Sequence, residues 1–532
     1  MRRGLPLLVL FVSLAILHTW PLASDLSGLS RLDNDDAGLN VFVISWVAHI
    51  VPRNPLALFE APIFFPERHT LAYSEHMLVP SMMGAPLMWA GVSPVTVYNL
   101  LVLAGFALSG WAMALVVTRW TGSTLGGVIA GMLYAFNAHL LTRLVHLQAL
   151  HLEFFPLALL ALDRLIEGSG SRRAAMLLAS AFVLQALCSN YTLVFMSVAL
   201  AIGAAVRVDE WLWPPRPRTI VALSAAALVS IALLIPFLWP YFIVSREQGL
   251  NRSLDEVALY SATWADYLAT GGRFHYALWS HRWFEGRTAL FPGITATLLA
   301  VAAIAFPEVR RDRRVWMIGA AGLSGLALSF GPALPGYAWI HEHVPLFTGL
   351  RGAARWGLLP LMAIAIIAGH TTAALQRRWS GTTYWPAATL ILLAIPTLEA
   401  IRTPMGFTGV PVIRAIYDEL RRAEGAVLAE IPLYGGPSVS ENARYMLAAT
   451  RHFRPLVNGY SGFESAASRD RAARWRAFPS AAVLDEMRTV GVTHVMVHTK
   501  DLPAEQVEAI EHSPELVRVG EDADLRLYAL RR

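Results

Sequence analysis

Residues 219–244 read TIVALSAAALVSIALLIPFLWPYFIV, a run without one charged side chain. A helix rises about 1.5 Å per residue, so about 20 apolar residues cover a hydrocarbon core of about 30 Å. This run is long enough to cross a bilayer, and runs like it recur through most of the chain. They fall at roughly 5–22, 94–118, 123–140, 150–166, 174–189, 190–206, 289–306, 315–331, 354–375 and 384–401. The sequence therefore reads as an all-α polytopic membrane protein with about eleven transmembrane helices. Composition agrees. Of 532 residues, 55% are hydrophobic and 15% charged, against about 25% charged in a soluble domain.

Arginine sets the expected orientation. Alternate short loops carry Arg119; Arg164, Arg172 and Arg173; Arg207, Arg216 and Arg218; Arg310, Arg311, Arg313 and Arg314; and Arg377 and Arg378. Basic short loops stay on the cytoplasmic side. The N-terminus, Met1-Arg2-Arg3, is then cytoplasmic, and an odd number of spans puts everything after Ile401 outside. A bacterial inner membrane and a periplasmic C-terminal domain follow. The boundary most open to another count is Ser189-Asn190-Tyr191, the one polar break between the fifth and sixth spans. The first apolar run could also pass for a signal peptide, because Pro21-Leu22-Ala23-Ser24 loosely resembles a cleavage site. The topology works best with that run retained.

Hydrophobic spans stop near Ile401, which divides the chain into a transmembrane domain, 1–401, and a soluble domain, 402–532. The tail shows strand-like runs at Ala426–Ile431, Thr493–Val497 and Leu525–Leu530, with a helical pattern near Ala481–Arg488, so a small α/β domain is expected. The long connections, roughly 23–93, 246–288 and 332–353, all fall outside, and that face is where function is expected.

The net charge of +5 is spread between hydrophobic segments, and Lys500 is the only lysine. Nucleic-acid binding needs basic residues gathered on one face, so it is excluded. The single cysteine, Cys188, excludes an internal disulfide and a cysteine metal cluster.

Four groups of residues carry possible chemistry. Asp33-Asn34-Asp35-Asp36 is an acidic cluster just after the first span, followed by a stretch that reads as an amphipathic interface helix. Its carboxylates suit a general base or a divalent cation; equally, they suit a solvated loop or a helix cap. Later in that loop come Leu58 to Pro66, rich in aromatics and prolines and read as rigid structure against the membrane, and the ionisable pair Glu75-His76. Between the third and fourth spans stand His139, Arg143, His146, Gln148, His151 and Glu153. His139, Arg143 and His146 share a helical face, and Arg143 suits an anion or phosphate. At the mouth of the tenth span, Arg351 and Arg355 are spaced to grip a phosphate or diphosphate, or else snorkel to the interface. In the tail, Tyr460 sits among small residues in Asn458-Gly459-Tyr460-Ser461-Gly462. That setting is compatible with sugar stacking and with plain structure.

Together these features resemble the GT-C superfamily of bacterial membrane glycosyltransferases. Within or near it, the chain is similar to a group of uncharacterised proteins sharing Asp36-Ala37-Gly38-Leu39-Asn40, Leu71 to His76, Tyr98-Asn99-Leu100, His146-Leu147-Gln148 and His452 to Gly462. The resemblance covers roughly residues 30–500. It implies transfer of a sugar from a polyprenyl-phosphate-linked donor to a glycan, lipid or protein acceptor on the outer face, usually with inversion. By position Asp36 would be the base, with Asp35 second. Glu75, His76, Arg143, His146, Gln148, Arg351, Arg355 and Tyr460 would bind substrate. No cofactor follows from it, although a divalent cation fits some members. Two other readings stand beside it: a non-catalytic envelope assembly protein, and a lipid or polysaccharide transporter. The transporter would call for ionisable residues within the spans, which are almost clean of them.

Overall fold

The computed structural model describes residues 4–168, 170–286, 288–344 and 346–531. Met1-Arg2-Arg3, expected to anchor the cytoplasmic end of the first span, lie outside the described residues. The chain is mostly helical and divides into two compact units. The first comprises Met1–Leu26, Asn99–Pro236 and Asn251–Phe407; the second comprises Ser27–Tyr98, Phe237–Leu250 and Thr408–Arg532. The first outer loop therefore groups with the tail.

Every apolar segment expected to span carries a helix, including Gly4–His18, Pro94–Thr121, Asn190–Val206, Pro217–Gln248, Arg313–Ser329 and Leu358–Trp379. Among the described residues, three helical segments are long and apolar enough to cross a membrane: Pro94–Thr121, Pro217–Gln248 and Ala353–Trp379. The others are shorter. In the first unit, glycines let helices meet backbone to backbone. A Cβ on Gly131 would lie 2.4 Å from the Gly110 carbonyl, and one on Gly126 would lie 2.5 Å from the Gly369 carbonyl. Val221, Leu228, Ile231 and Leu233 of the Pro217–Gln248 helix are exposed, as expected of a face that meets lipid.

Four of the arginine-bearing loops converge within the first unit. Arg207, buried at 1% exposure, donates to Asp163 Oδ1 at 2.6 Å, and Arg314 donates to Asp163 Oδ2 at 2.9 Å. Trp120 Nε1 donates to the same carboxylate at 2.8 Å. Glu210 takes the other side of Arg207 at 2.7 Å, Glu167 takes Arg314 at 2.6 Å, and Asp209 pairs with Arg313. A buried guanidinium is tolerated only when so paired.

The second unit is built around the Asp35–Ile50 helix. It packs against the Leu78–Trp89 helix and the Ala443–Ala449 helix, and nearly all of it from Ala37 to Ala48 is buried. It is a core helix, not the amphipathic interface helix its sequence position implied, because tail and loop cover it on several sides. A short pair, β1 (Leu29–Ser30) with β2 (Thr408–Gly409), joins the loop to the start of the tail. The main sheet has the order β3-β4-β6-β5, from β3 (Leu428–Ile431), β4 (His494–His498), β5 (Leu516–Asp522) and β6 (Leu525–Leu530). β3 and β4 are parallel, and β6 is antiparallel to both β4 and β5. Helices Ala466–Trp475 and Ala481–Val490 supply Trp475, Leu484 and Met487 to its core beside Ile431, Val495, Val497 and Tyr528.

The aromatic stretch of the loop is held rigid against the tail. Phe64 and Phe65 donate to the carbonyls of Asn458 and Leu456 at 3.2 and 3.0 Å, and Leu456 donates back to Pro62 at 3.1 Å. Phe64 is fully buried, and Phe65 packs on the sheet core.

Candidate active site

In the second unit the four residues of the acidic cluster part company. Asp33 accepts from Arg31 Nε at 3.0 Å. Asn34 caps the helix, its Oδ1 accepting the Asp36 N–H at 3.0 Å. Asp35 and Asp36 occupy the first turn, where the helix dipole favours a carboxylate. Asp35 is exposed, whereas Asp36 is half-buried. The Tyr460 hydroxyl donates to Asp36 Oδ1 at 2.7 Å. Asn40 Nδ2 donates to the Asp36 carbonyl at 2.7 Å, tightening the turn. The charges of Arg31 and Asp36 both act on Tyr98. The structure thus brings Asp36 and Tyr460 together and leaves Asp35 on the surface.

Glu75 and His76 are buried in the same unit. His76 Nδ1 accepts the Leu78 N–H at 3.1 Å, so a neutral ring carries its proton on Nε2. Its imidazole is ringed by Phe59, Phe237 and Tyr241, and burial pushes its pKa down to about 4. Glu67 ties this loop to the tail. It accepts from Tyr73 at 2.5 Å and from Ser465 at 2.7 Å, with Arg471 at 3.9 Å.

Arg143, His146, Gln148, Arg351 and Arg355 belong to the first unit. The charges of Arg143, Arg355 and His146 all act on the buried His139 ring. Arg355 stacks over Tyr191 at 4.3 Å, and the Gly352 N–H donates to the Tyr191 hydroxyl at 3.2 Å. Arg351 lies over the Tyr260 ring at 5.3 Å and 3.6 Å from Glu256, which also accepts from Arg252 at 3.1 Å. Gln148 stands half-buried on the short Leu147–Leu150 helix. The Ser189-Asn190-Tyr191 break is thus a real helix junction, and its tyrosine carries an arginine. Sequence reasoning passed over Arg252, Glu256 and Glu67. The i, i+4 spacing of Arg252 and Glu256 was the available signal; Glu67 had none. Among the described residues, no three His, Cys, Asp or Glu side chains gather closely enough to hold a metal ion.

No family model matches the chain, and no curated protein does. Solved structures do. Arabinofuranosyltransferase AftD from Mycobacteria matches with a TM-score of 0.53 at 18% identity over 95% of this chain. A mutant form of the same enzyme matches with a TM-score of 0.59 at 18% identity over 99%. The chain spans 40% and 41% of the length of those two structures. An oligosaccharyltransferase from Archaeoglobus fulgidus, tethered to an acceptor peptide, matches with a TM-score of 0.51 at 10% identity, covering 93% of this chain and 69% of that one. The chain therefore shares its fold with these arabinofuranosyltransferase and oligosaccharyltransferase structures.

Proposed function

We propose that the protein transfers a sugar from a polyprenyl-phosphate-linked donor to a glycan, lipid or protein acceptor at the outer face of a bacterial inner membrane. In this reading about eleven helices cross the bilayer, the N-terminus is cytoplasmic and the second unit faces the periplasm. Asp36 is the general base. It accepts the proton of an acceptor hydroxyl as that oxygen bonds to the anomeric carbon. The bond from that carbon to the donor phosphate breaks, and its electron pair leaves on the phosphate oxygen. Attack opposite the leaving group inverts the centre. Arg351 and Arg355, with Arg143 and His146, hold the phosphate and meet the charge that develops on it; fixed cations in a water-poor site serve this best. Gln148, beside His146 in sequence, adds a polar contact to the donor. His76, caged and neutral, transfers no proton and instead fixes the loop that presents Glu75 to the acceptor.

The observation that carries this reading is the treatment of Asp36. Of the neighbouring aspartates it is the half-buried one, where Asp33 and Asp35 are exposed, and it accepts the Tyr460 hydroxyl at the start of a buried helix. The test is Asp36→Ala in purified protein, following sugar loss from undecaprenyl-phosphate-linked pentoses and hexoses. A fall of about 10²–10⁴-fold or more, at unchanged protein level, is expected for removal of a general base. Full activity would remove Asp36 from the mechanism.

A further inference from the structure

Tyr460 reaches Asp36 from 424 residues away in sequence, and the peptide that carries it is locked on three sides. Asn458, fully buried, accepts the Glu430 N–H at 2.8 Å and donates to the Glu430 carbonyl at 2.8 Å, which fastens the loop to β3. Its side chain also donates to Asn442 Oδ1 at 3.2 Å, and Asn442 Nδ2 donates to the Gly459 carbonyl at 3.1 Å. Gly459 has no room for a side chain, because a Cβ would lie 2.5 Å from the Phe64 ring. The Tyr460 N–H points at Met446 Sδ, 3.1 Å away on the Ala443–Ala449 helix.

That helix is the one packed on the start of the Asp35–Ile50 helix. The Ala443 Cβ sits 3.5 Å from where a Cβ on Gly38 would be, two residues past Asp36. The hydroxyl and the carboxylate it meets are thus fixed to one rigid assembly. We propose that Tyr460 is the positioning residue for Asp36, so that the C-terminal domain completes the catalytic site instead of decorating it. This rests on the reading of Asp36 as base.

The chemistry is directional. A carboxylate at a helix start swings about its terminal torsion, which has broad wells. A hydroxyl fixed at Oδ1 sets the carboxylate plane and with it the direction of Oδ2. Geometry of this kind acts on the rate, not on substrate affinity, since an atom displaced by about 1 Å costs on the order of 10²-fold. A tyrosine used for sugar stacking behaves differently: its ring matters and its hydroxyl does not.

The experiment compares Tyr460→Phe, Tyr460→Ala and Asp36→Ala in the full-length protein. It measures release of undecaprenyl phosphate from undecaprenyl-phosphate-linked pentoses and hexoses. The expected result is that both Tyr460 variants lower kcat alike, by about 10–100-fold, while KM for the donor stays within about twofold. If Tyr460→Ala fails to fold, Tyr460→Phe decides alone. Wild-type kcat in Tyr460→Phe overturns the proposal, and a raised KM confined to Tyr460→Ala assigns the ring to sugar stacking. Wild-type activity in Asp36→Ala, or a wild-type protein inert on every donor, overturns the reading of the site and the proposal with it.

Discussion

One helix, Asn190–Val206, has an arginine site at each end, and the two are built differently. At its C-terminal end Arg207 is closed off by Asp163 and Glu210, and Arg314 by Asp163 and Glu167. At its N-terminal end Arg355 lies on the face of Tyr191, while Arg351 and Arg252 share Glu256. The first set is matched carboxylate for guanidinium, as a structural joint between loops must be. The second is richer in aromatic faces than in carboxylates, and the guanidinium groups of Arg351 and Arg355 lie over rings. Aromatic contact orients a cation without neutralising it, which is what a site for an incoming phosphate needs. Residue type alone does not separate the two ends; the partners do.

The largest test of this contrast is Asp163→Ala. Leaving buried Arg207 with Glu210 alone, and taking the same carboxylate from Arg314 and Trp120, is expected to cost about 3 kcal/mol, read as lost folded protein or a lowered thermal midpoint, with any surviving protein still active. Unchanged stability would show that the joint is dispensable.

The second unit depends on pH in a calculable direction. Burial holds His76 and His452 at about 4, below the ordinary 6.5. The folded state then binds fewer protons than the unfolded one between those values. Stability is full above pH 6.5, falls as pH drops toward 4, and levels off below that. His76 alone accounts for about 3 kcal/mol at pH 4. Protease resistance of the tail measured from pH 7.5 to 4 checks this, and His76→Gln should flatten the profile.

Arg355→Ala is the counterpart of the first test. It is expected to leave the thermal midpoint within a few degrees but to lower kcat/KM by about 10²-fold, about 2.7 kcal/mol of transition-state stabilisation. Loss of folding in place of activity would make both ends of the helix structural. The smallest expected effect is Glu256→Gln. It keeps the shape, removes one charge between Arg252 and Arg351, and should shift donor KM by only a few-fold, about 1 kcal/mol.

The helices were legible because a bilayer demands a length and a polarity that a single sequence displays: each expected span carries a helix. The acidic cluster was legible too, since Asn34 and the aspartates at a helix start are local features. The rest was not local. Nothing near Pro62 announces that it pairs with Leu456, and nothing near Asp36 announces the tail helix that buries the helix after it. β5 went unseen because Leu516–Asp522 is an edge strand with mostly exposed side chains, and its Val-Arg-Val-Gly-Glu-Asp run lacks a buried face. Sequence named Tyr460 but could not say that it meets Asp36; only the fold brings them within 2.7 Å.

The most direct test of the account sets Asp36→Ala beside Asp35→Ala, in one assay of undecaprenyl phosphate release from undecaprenyl-phosphate-linked pentoses and hexoses. The neighbouring carboxylates differ in surroundings and hardly in sequence position. The account predicts a loss of at least about 10²-fold for Asp36→Ala and a rate within about twofold of wild type for the exposed Asp35→Ala. Loss of activity in Asp35→Ala, with Asp36→Ala intact, would contradict it.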